Sequence, residues 1–240
     1  MRSAKLRAAT SMLCTNDINN ILQTRYLHYL CIRIKNILSK YMGVKESMKE
    51  ILEAESRAIM NIPVTDGYEE AVRLIVEQVH EKGGKLVTSG MGKCGQIAQN
   101  IATTFSSTGI PAVFLHPSEA QHGDLGVLQP NDLMLLLSNS GKTNEVVALV
   151  DLARGLYPQL KFIVITGNSD SELAHAADVC LWTGGTPEVC PLGLTPTTST
   201  TMMTVIGDVL VVNTMRATGF TKHDYALRHH GGYLGQKSRS

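Results

Sequence analysis

Asp132-Leu-Met-Leu-Leu-Leu-Ser-Asn-Ser-Gly-Lys-Thr-Asn-Glu-Val-Val-Ala-Leu-Val150 is the stretch that decides the fold. Its apolar run ends abruptly in Ser138-Asn139-Ser140-Gly141-Lys142-Thr143. A helical pattern then begins at Glu145, with Val146, Leu149, Val150 and Leu152 at helical spacing. This is a buried strand feeding a hydroxyl-rich turn at a helix N-terminus, where free N–H groups and the positive dipole end favour an anion. Three hydroxyls, a glycine and a lysine at that point fit a phosphate site. A plain capped helix start, with Ser or Thr as N-cap, fits the same residues.

Working outward, strands and helices alternate. The expected strands are residues 85–89, 111–116, 132–138, 161–166 and 179–182. Helices are expected over 90–107 (with its turn), 143–156, 173–177 and from Thr197 to about Thr218, where Gly219 ends the last one. Residues 47–80 read as two helices broken at Pro63 and Gly67. Continuously apolar strands separated by helices imply an α/β fold, a three-layer α-β-α sandwich around a five-stranded parallel sheet. Ligands in such folds bind at the carboxyl ends of the strands, and every candidate polar cluster in this chain lies at such an end.

Composition sets the bounds. A formal net charge of +1 and an apolar content of 43% describe an ordinary globular protein. No basic face is concentrated enough for nucleic acid, and no apolar run approaches the ~20 residues that span a bilayer. The five cysteines, Cys14, Cys31, Cys94, Cys180 and Cys190, are odd in number and lack CxxC spacing. They read as reduced thiols in a cytoplasmic protein. Residues 1–46 carry eight Lys and Arg against Asp17 and Glu46. We read this segment as a dispensable extension, with a short amphipathic helix over residues 26–32. Translation starting at Met42 or Met48 is the alternative.

Four clusters carry chemistry. Gly90-Met91-Gly92-Lys93-Cys94-Gly95 follows the first strand and matches G-x-G-x-x-G, so a dinucleotide-linked oxidoreductase is one reading. However, the second strand ends in His116 rather than the acid that would hold a ribose. A glycine turn chosen for tight strand-to-helix packing also fits. The second cluster, His116 to Gly126, holds two histidines and two acids. No third metal ligand has a recognisable spacing, so substrate hydrogen bonding is the better reading for His116 and His122. The third joins Glu188 to the hydroxyl run Thr197-Thr198-Ser199-Thr200-Thr201, in which Thr197 caps a helix and the others back-bond to the previous turn or line a site. The fourth is His229-His230-Gly231-Gly232.

These pieces, in this order, resemble the sugar isomerase (SIS) domain family, within it the D-arabinose 5-phosphate isomerases. The matching residues are Gly90-Met-Gly-Lys93, Ser107-Thr-Gly109, His116-Pro117, His122-Gly-Asp124-Leu-Gly126, Ser138-Asn-Ser-Gly141, Glu188-x-Cys-Pro-Leu-Gly193 and His229-x-Gly-Gly232. The resemblance implies interconversion of D-ribulose 5-phosphate and D-arabinose 5-phosphate through an enediol, supplying Kdo for lipopolysaccharide or capsule. It implies Lys93, Glu145, Glu188 and His229 as the catalytic set, with Glu145 or His229 as the proton-transferring base. Substrate-binding residues are expected at Ser89, Gly109, His116, His122, Ser138, Asn139, Ser140, Thr143 and Thr197. No cofactor is expected, and the family's inhibitory zinc position matches His116. The partners implied are the sugar phosphate and further copies of the chain in a homotetramer, with His229 late enough to complete a neighbour's site. The SIS domain would cover residues 47–240. A non-catalytic SIS-domain sugar-phosphate sensor is the alternative.

Three departures stand out. Lys142 follows Gly141 where the family has Glu. His230 replaces the proline of His-Pro-Gly-Gly, which loosens the loop carrying His229. The chain ends at Ser240 without the paired cystathionine-β-synthase-type domains common in the family, so any regulation is expected to act on the SIS domain itself.

Overall fold

A computed structural model of the chain describes residues 43–239 together with Leu30 and Arg33. The chain divides into two units, Met1–Leu52 and Glu53–Ser240. Of the first, the described residues are helical Leu30 and Arg33, Gly43 and the opening turns of α1 (Val44–Met60), which crosses the boundary expected at residue 46. The rest of the helix expected over 26–32 lies outside the described residues.

The second unit alternates strands and helices as the apolar runs require. After α1 come α2 (Gly67–Ile75), continued by a π-helical stretch Val76–Glu81, then β1 (Leu86–Gly90) and α3 (Gly92–Ser107). β2 (Ala112–Phe114), α4 (Pro117–Ala120) and a 3₁₀ turn Asp124–Val127 follow. The chain continues through β3 (Leu133–Leu137), α5 (Asn144–Leu156), β4 (Lys161–Thr166), α6 (Glu172–Ala176) and β5 (Val179–Trp182). It closes with α7 (Thr198–Thr218), α8 (Lys222–Ala226) and α9 (Gly232–Arg239). β2 is shorter than expected at both ends: Pro111 cannot donate to a ladder, and Pro117 opens α4 at the other side.

All five strands run parallel in the order β2-β1-β3-β4-β5. β3 is buried along its whole length because both of its faces are covered. Leu133, Leu135 and Leu137, with Ile163 and Ile165, face a core supplied by α2, α3 and α7. Met134 and Leu136, with Phe162 and Val164, face the other core, which Val146, Leu149, Val150 and Ala153 of α5 complete. The period-2 alternation of a strand thus splits one apolar run between two cores, giving the three-layer sandwich. α3 and α7 pack closely, and a Cβ on Gly207 would stand 2.6 Å from Ile101.

Candidate active site

From β1 the chain crosses to β2 on one side, and it later returns to β3 on the other. The β1/β3 boundary is therefore the switch point, where a crevice opens outside the carboxyl ends of the strands. Gly90 pairs with Leu137 in register, so the Met91–Gly92 turn and the Ser138–Thr143 loop leave the sheet side by side.

The glycines of the first turn are explained by packing. A Cβ at Gly90 would lie 2.9 Å from the Leu137 carbonyl oxygen, one at Gly95 would meet the Gly90 carbonyl, and Gly92 has a φ of +56°. These contacts let α3 start directly over β1 with the exposed Lys93 in its first turn; the Lys93 Nζ bonds to Gln96 at 3.4 Å. Ser89, expected to bind substrate, is instead fully buried, and its hydroxyl donates to the Leu115 carbonyl at 2.6 Å. It ties β1 to the chain leaving β2.

In the second loop the hydroxyls divide their work. Ser138 is buried; its Oγ lies 2.9 Å from Thr143 Oγ1 and accepts the Gly141 N–H at 3.1 Å. Its side chain braces the loop from within rather than presenting itself to a ligand. Gly141, at φ +63°, could not carry a Cβ, which would run into Ser171. Asn139 and Ser140 stay exposed, and Ser140 Oγ accepts the Lys142 N–H at 3.2 Å. Thr143 is the N-cap residue of α5, yet its side chain makes no capping bond. The Val146 N–H bonds to the Thr143 carbonyl at 3.0 Å, which leaves the N–H groups of Asn144 and Glu145 without an intrahelical acceptor, an arrangement suited to an anion.

The third element is the segment between β5 and α7. Glu188 Oε2 accepts N–H bonds from Thr197 (2.7 Å) and Ser199 (3.2 Å) and the Thr197 hydroxyl at 3.1 Å; Oε1 accepts the Ser199 hydroxyl. Glu188 is thus the capping acid of α7, supplied from nine residues upstream of Thr197, whose own hydroxyl donates rather than caps. Thr200 and Thr201 back-bond to the Thr197 carbonyl at 2.8 and 3.1 Å, as expected. Desolvation pushes the Glu188 pKa upward, but the bonds from Ser199 and Thr197 outweigh it and hold the carboxyl below its ordinary value. An ionised carboxylate beside a helix N-terminus is the favourable arrangement.

Cys94 joins the three elements. Its half-buried thiol meets Met203 Sδ of α7 at 3.8 Å; burial chiefly, and the Glu188 charge, push its pKa up, against backbone hydrogen bonding from Asn139. The α3 start, the Ser138–Thr143 loop and the Glu188 segment therefore converge. Glu145, half-buried in the first turn of α5, belongs to the same mouth. Cys94 carries no signal in the sequence beyond its place in the glycine turn.

Other expected residues are placed differently. His116 stands at the N-cap of α4 beside Phe114, at the end of β2, and its Nδ1 is buried without a partner among the described residues. His122 is exposed on the turn beyond α4. Among the described residues no group of three or more His, Cys, Asp or Glu is placed to hold a metal ion. Among the described residues, zinc at His116 would lack the usual donor set. Gly109 lies past the C-terminus of α3, ~24 Å along that helix from Lys93, where a Cβ would meet Phe220 at 3.0 Å and Arg228 at 3.4 Å. His229, next to Arg228, stacks on Tyr225 with ring centroids 3.6 Å apart, and its Nδ1 lies 3.0 Å from the Tyr225 carbonyl. Within one chain, then, Gly109 and His229 belong to the end of α3 remote from the crevice, because α3 and α7 both run away from it.

Comparison with known proteins agrees with this fold. The SIS domain profile matches residues 79–213. The chain is 44% identical over 194 residues to a protein of Shigella flexneri named arabinose 5-phosphate isomerase KdsD, covering 80% of this chain and 58% of that protein. It thus spans somewhat over half the length of such curated relatives. Among solved structures, one from Bacteroides fragilis NCTC 9343, provisionally named a phosphosugar isomerase involved in capsule formation, is 71% identical with a TM-score of 0.79. The match covers 80% of this chain and all of that one. An Escherichia coli CFT073 protein in complex with arabinose 5-phosphate is 32% identical with a TM-score of 0.70, covering 78% of this chain and all of that one. With a matching profile and a parallel five-stranded sandwich, the chain belongs to the SIS domain family.

Proposed function

We propose that this chain is an aldose–ketose isomerase interconverting D-ribulose 5-phosphate and D-arabinose 5-phosphate through an enediolate. The observation that carries this reading is the convergence at the β1/β3 mouth of an open helix N-terminus, a lysine and a carboxylate kept ionised by α7. Relatives named arabinose 5-phosphate isomerase, and a structural neighbour in complex with arabinose 5-phosphate, support the substrate. The sensor alternative has no such support at comparable identity.

The chemistry divides as follows. The phosphate sits at the start of α5, with Asn139, Ser140 and Thr143 as its nearest polar groups and Ser138 and Gly141 shaping the loop. Glu145, one residue beyond Asn144 on the same turn, removes the C2 proton of the aldose and returns it at C1. Lys93 stabilises the enediolate oxygen as charge develops there. Glu188, rigidly held, orients Lys93 or a sugar hydroxyl. His229 opens the sugar ring, or exchanges roles with Glu145, from a neighbouring subunit of a homotetramer. That assignment fits its distance from the crevice of its own chain. An apolar groove of about 1150 Å³, lined among others by Ile59, Met60, Val64, Tyr68, Val205 and Val209, gives such subunits an uncovered face. The product would enter Kdo synthesis for lipopolysaccharide or capsule in the cytoplasm. Among the described residues, no helix is long and apolar enough to cross a membrane.

A coupled assay for ribulose 5-phosphate formed from arabinose 5-phosphate tests the reading. Turnover without added nicotinamide is expected, and Glu145→Gln should lower it ~10²–10⁴-fold, the range for a positioned general base. Binding without turnover would instead identify a sensor.

A further inference from the structure

Helix α1 carries its charged residues outward with one exception. Glu46, Glu50, Glu53 and Arg57 are exposed, whereas Glu55 lies on the covered side, one turn before the buried Ala58. Among the described residues no cation pairs with it. Its Oε1 accepts the Thr198 hydroxyl at 3.1 Å, and its Oε2 is buried with no partner among the described residues. A carboxylate in such a place is costly, and helix formation or core packing would be served better by an apolar residue.

Thr198 shows what the arrangement secures. It is fully buried, and its Oγ1 also accepts the Val189 N–H at 3.1 Å. Thr197 and Ser199, on either side of it, hold the Glu188 carboxylate. Three consecutive residues at the start of α7 therefore grip Glu188 and the residue after it, and the middle one is anchored through Glu55. A hydroxyl has one proton. With that proton committed to Glu55, the lone pairs of Thr198 Oγ1 are turned toward Val189, and the 188–189 backbone is fixed against α7.

We propose that Glu55 is a positioning residue, acting through Thr198 to fix the Glu188 carboxylate at the mouth of the crevice. The proposal rests on the isomerase reading of that crevice. What Thr198 requires is an acceptor, which a Gln amide oxygen also supplies; an alanine does not.

The test compares Glu55→Ala, Glu55→Gln and the wild type, each as full-length chain, in the arabinose 5-phosphate assay. Glu55→Ala should lower kcat about ten- to a hundredfold, the scale of a side chain displaced by an ångström or less. KM should stay within about twofold, since the phosphate loop is untouched, and Glu55→Gln should restore most of kcat. A merely structural role would lower thermal stability while leaving the kcat of the folded enzyme intact. That result, or Gln no better than Ala, overturns the proposal. If the wild type itself turns over no arabinose 5-phosphate, the isomerase reading fails separately. A urea-unfolding double-mutant cycle between Glu55→Ala and Thr198→Val then still decides the link: coupling supports it, and additivity overturns it.

Discussion

Glu188 offers a perturbation in which stability and catalysis can be separated. Its Oε2 takes three donors from Thr197 and Ser199, and its Oε1 takes one. In Glu188→Gln the amide oxygen can occupy the Oε2 position and keep three of the four bonds, while the NH₂ faces Ser199 Oγ, which can turn to accept. The loss is then that of charge assistance at a helix N-terminus, ~0.3–1 kcal/mol. Glu188→Ala removes the cap outright and leaves two N–H groups to find water, for ~1–2 kcal/mol. The native carboxyl titrates below its ordinary value, so its contribution is present above the unfolded pKa and disappears as pH falls through the native one. The stability gap between wild type and Glu188→Gln should therefore hold at neutral pH and narrow as pH falls below the ordinary glutamate value of about 4.3. Urea unfolding followed by far-UV circular dichroism at pH 7 and at pH 3.5 measures it. In the isomerase assay Glu188→Gln should lose far more than its stability explains. A folded Gln variant with near-normal kcat would refute a catalytic-site role and leave Glu188 as a helix cap alone.

Other consequences are as definite. Gly141→Ala puts a Cβ into left-handed backbone and against Ser171; the conformation alone costs ~1–2 kcal/mol. Calorimetry should show the drop, and Ser171→Gly in the same chain should recover part of it. Lys142 is exposed on the phosphate loop, so Lys142→Glu should raise KM several-fold at low ionic strength, from about 1 kcal/mol of lost attraction that fades as salt is added. Steady-state kinetics at two salt concentrations check this. At Cys190 desolvation works to raise the thiol pKa, but N–H bonds to Sγ from Thr195 (3.1 Å) and Leu194 (3.3 Å) bring it down to about 7. Burial pushes Cys94 and Cys180 up. Iodoacetamide at pH 7.5 should accordingly alkylate Cys190 ahead of those two, as read by peptide mass mapping.

Much of the fold is legible because the strongest signals are long and unambiguous. The run from Leu133 to Leu137 could only be a strand covered on both faces, and Gly219, at φ +66°, ends α7 where expected. Less legible were features set by tertiary contact. The π-helical stretch after Ile75 and the brief α4 have no distinct residue pattern, and β2 is trimmed because it is an edge strand between prolines. In the site, the sequence locates segments better than atoms. Ser89 and Ser138 stand at strand ends among plausible ligands, but which way a hydroxyl turns depends on neighbours such as Leu115 and Thr143, far away or across a loop. The Glu188 cap escapes any local capping motif because its acid lies nine residues before Thr197. Glu55 is hidden for the same reason: its partner Thr198 is 143 residues distant. The remoteness of His229 from the crevice follows only from the lengths and directions of α3 and α7.

The central claim is that the β1/β3 mouth moves a proton between adjacent carbons of a phosphorylated pentose. Its most direct test is proton NMR of arabinose 5-phosphate with the wild-type enzyme in D₂O. The account predicts ribulose 5-phosphate formation together with progressive deuterium incorporation at C2 of the remaining aldose, both suppressed in Glu145→Gln. No interconversion at all, or interconversion undiminished in Glu145→Gln, would contradict it.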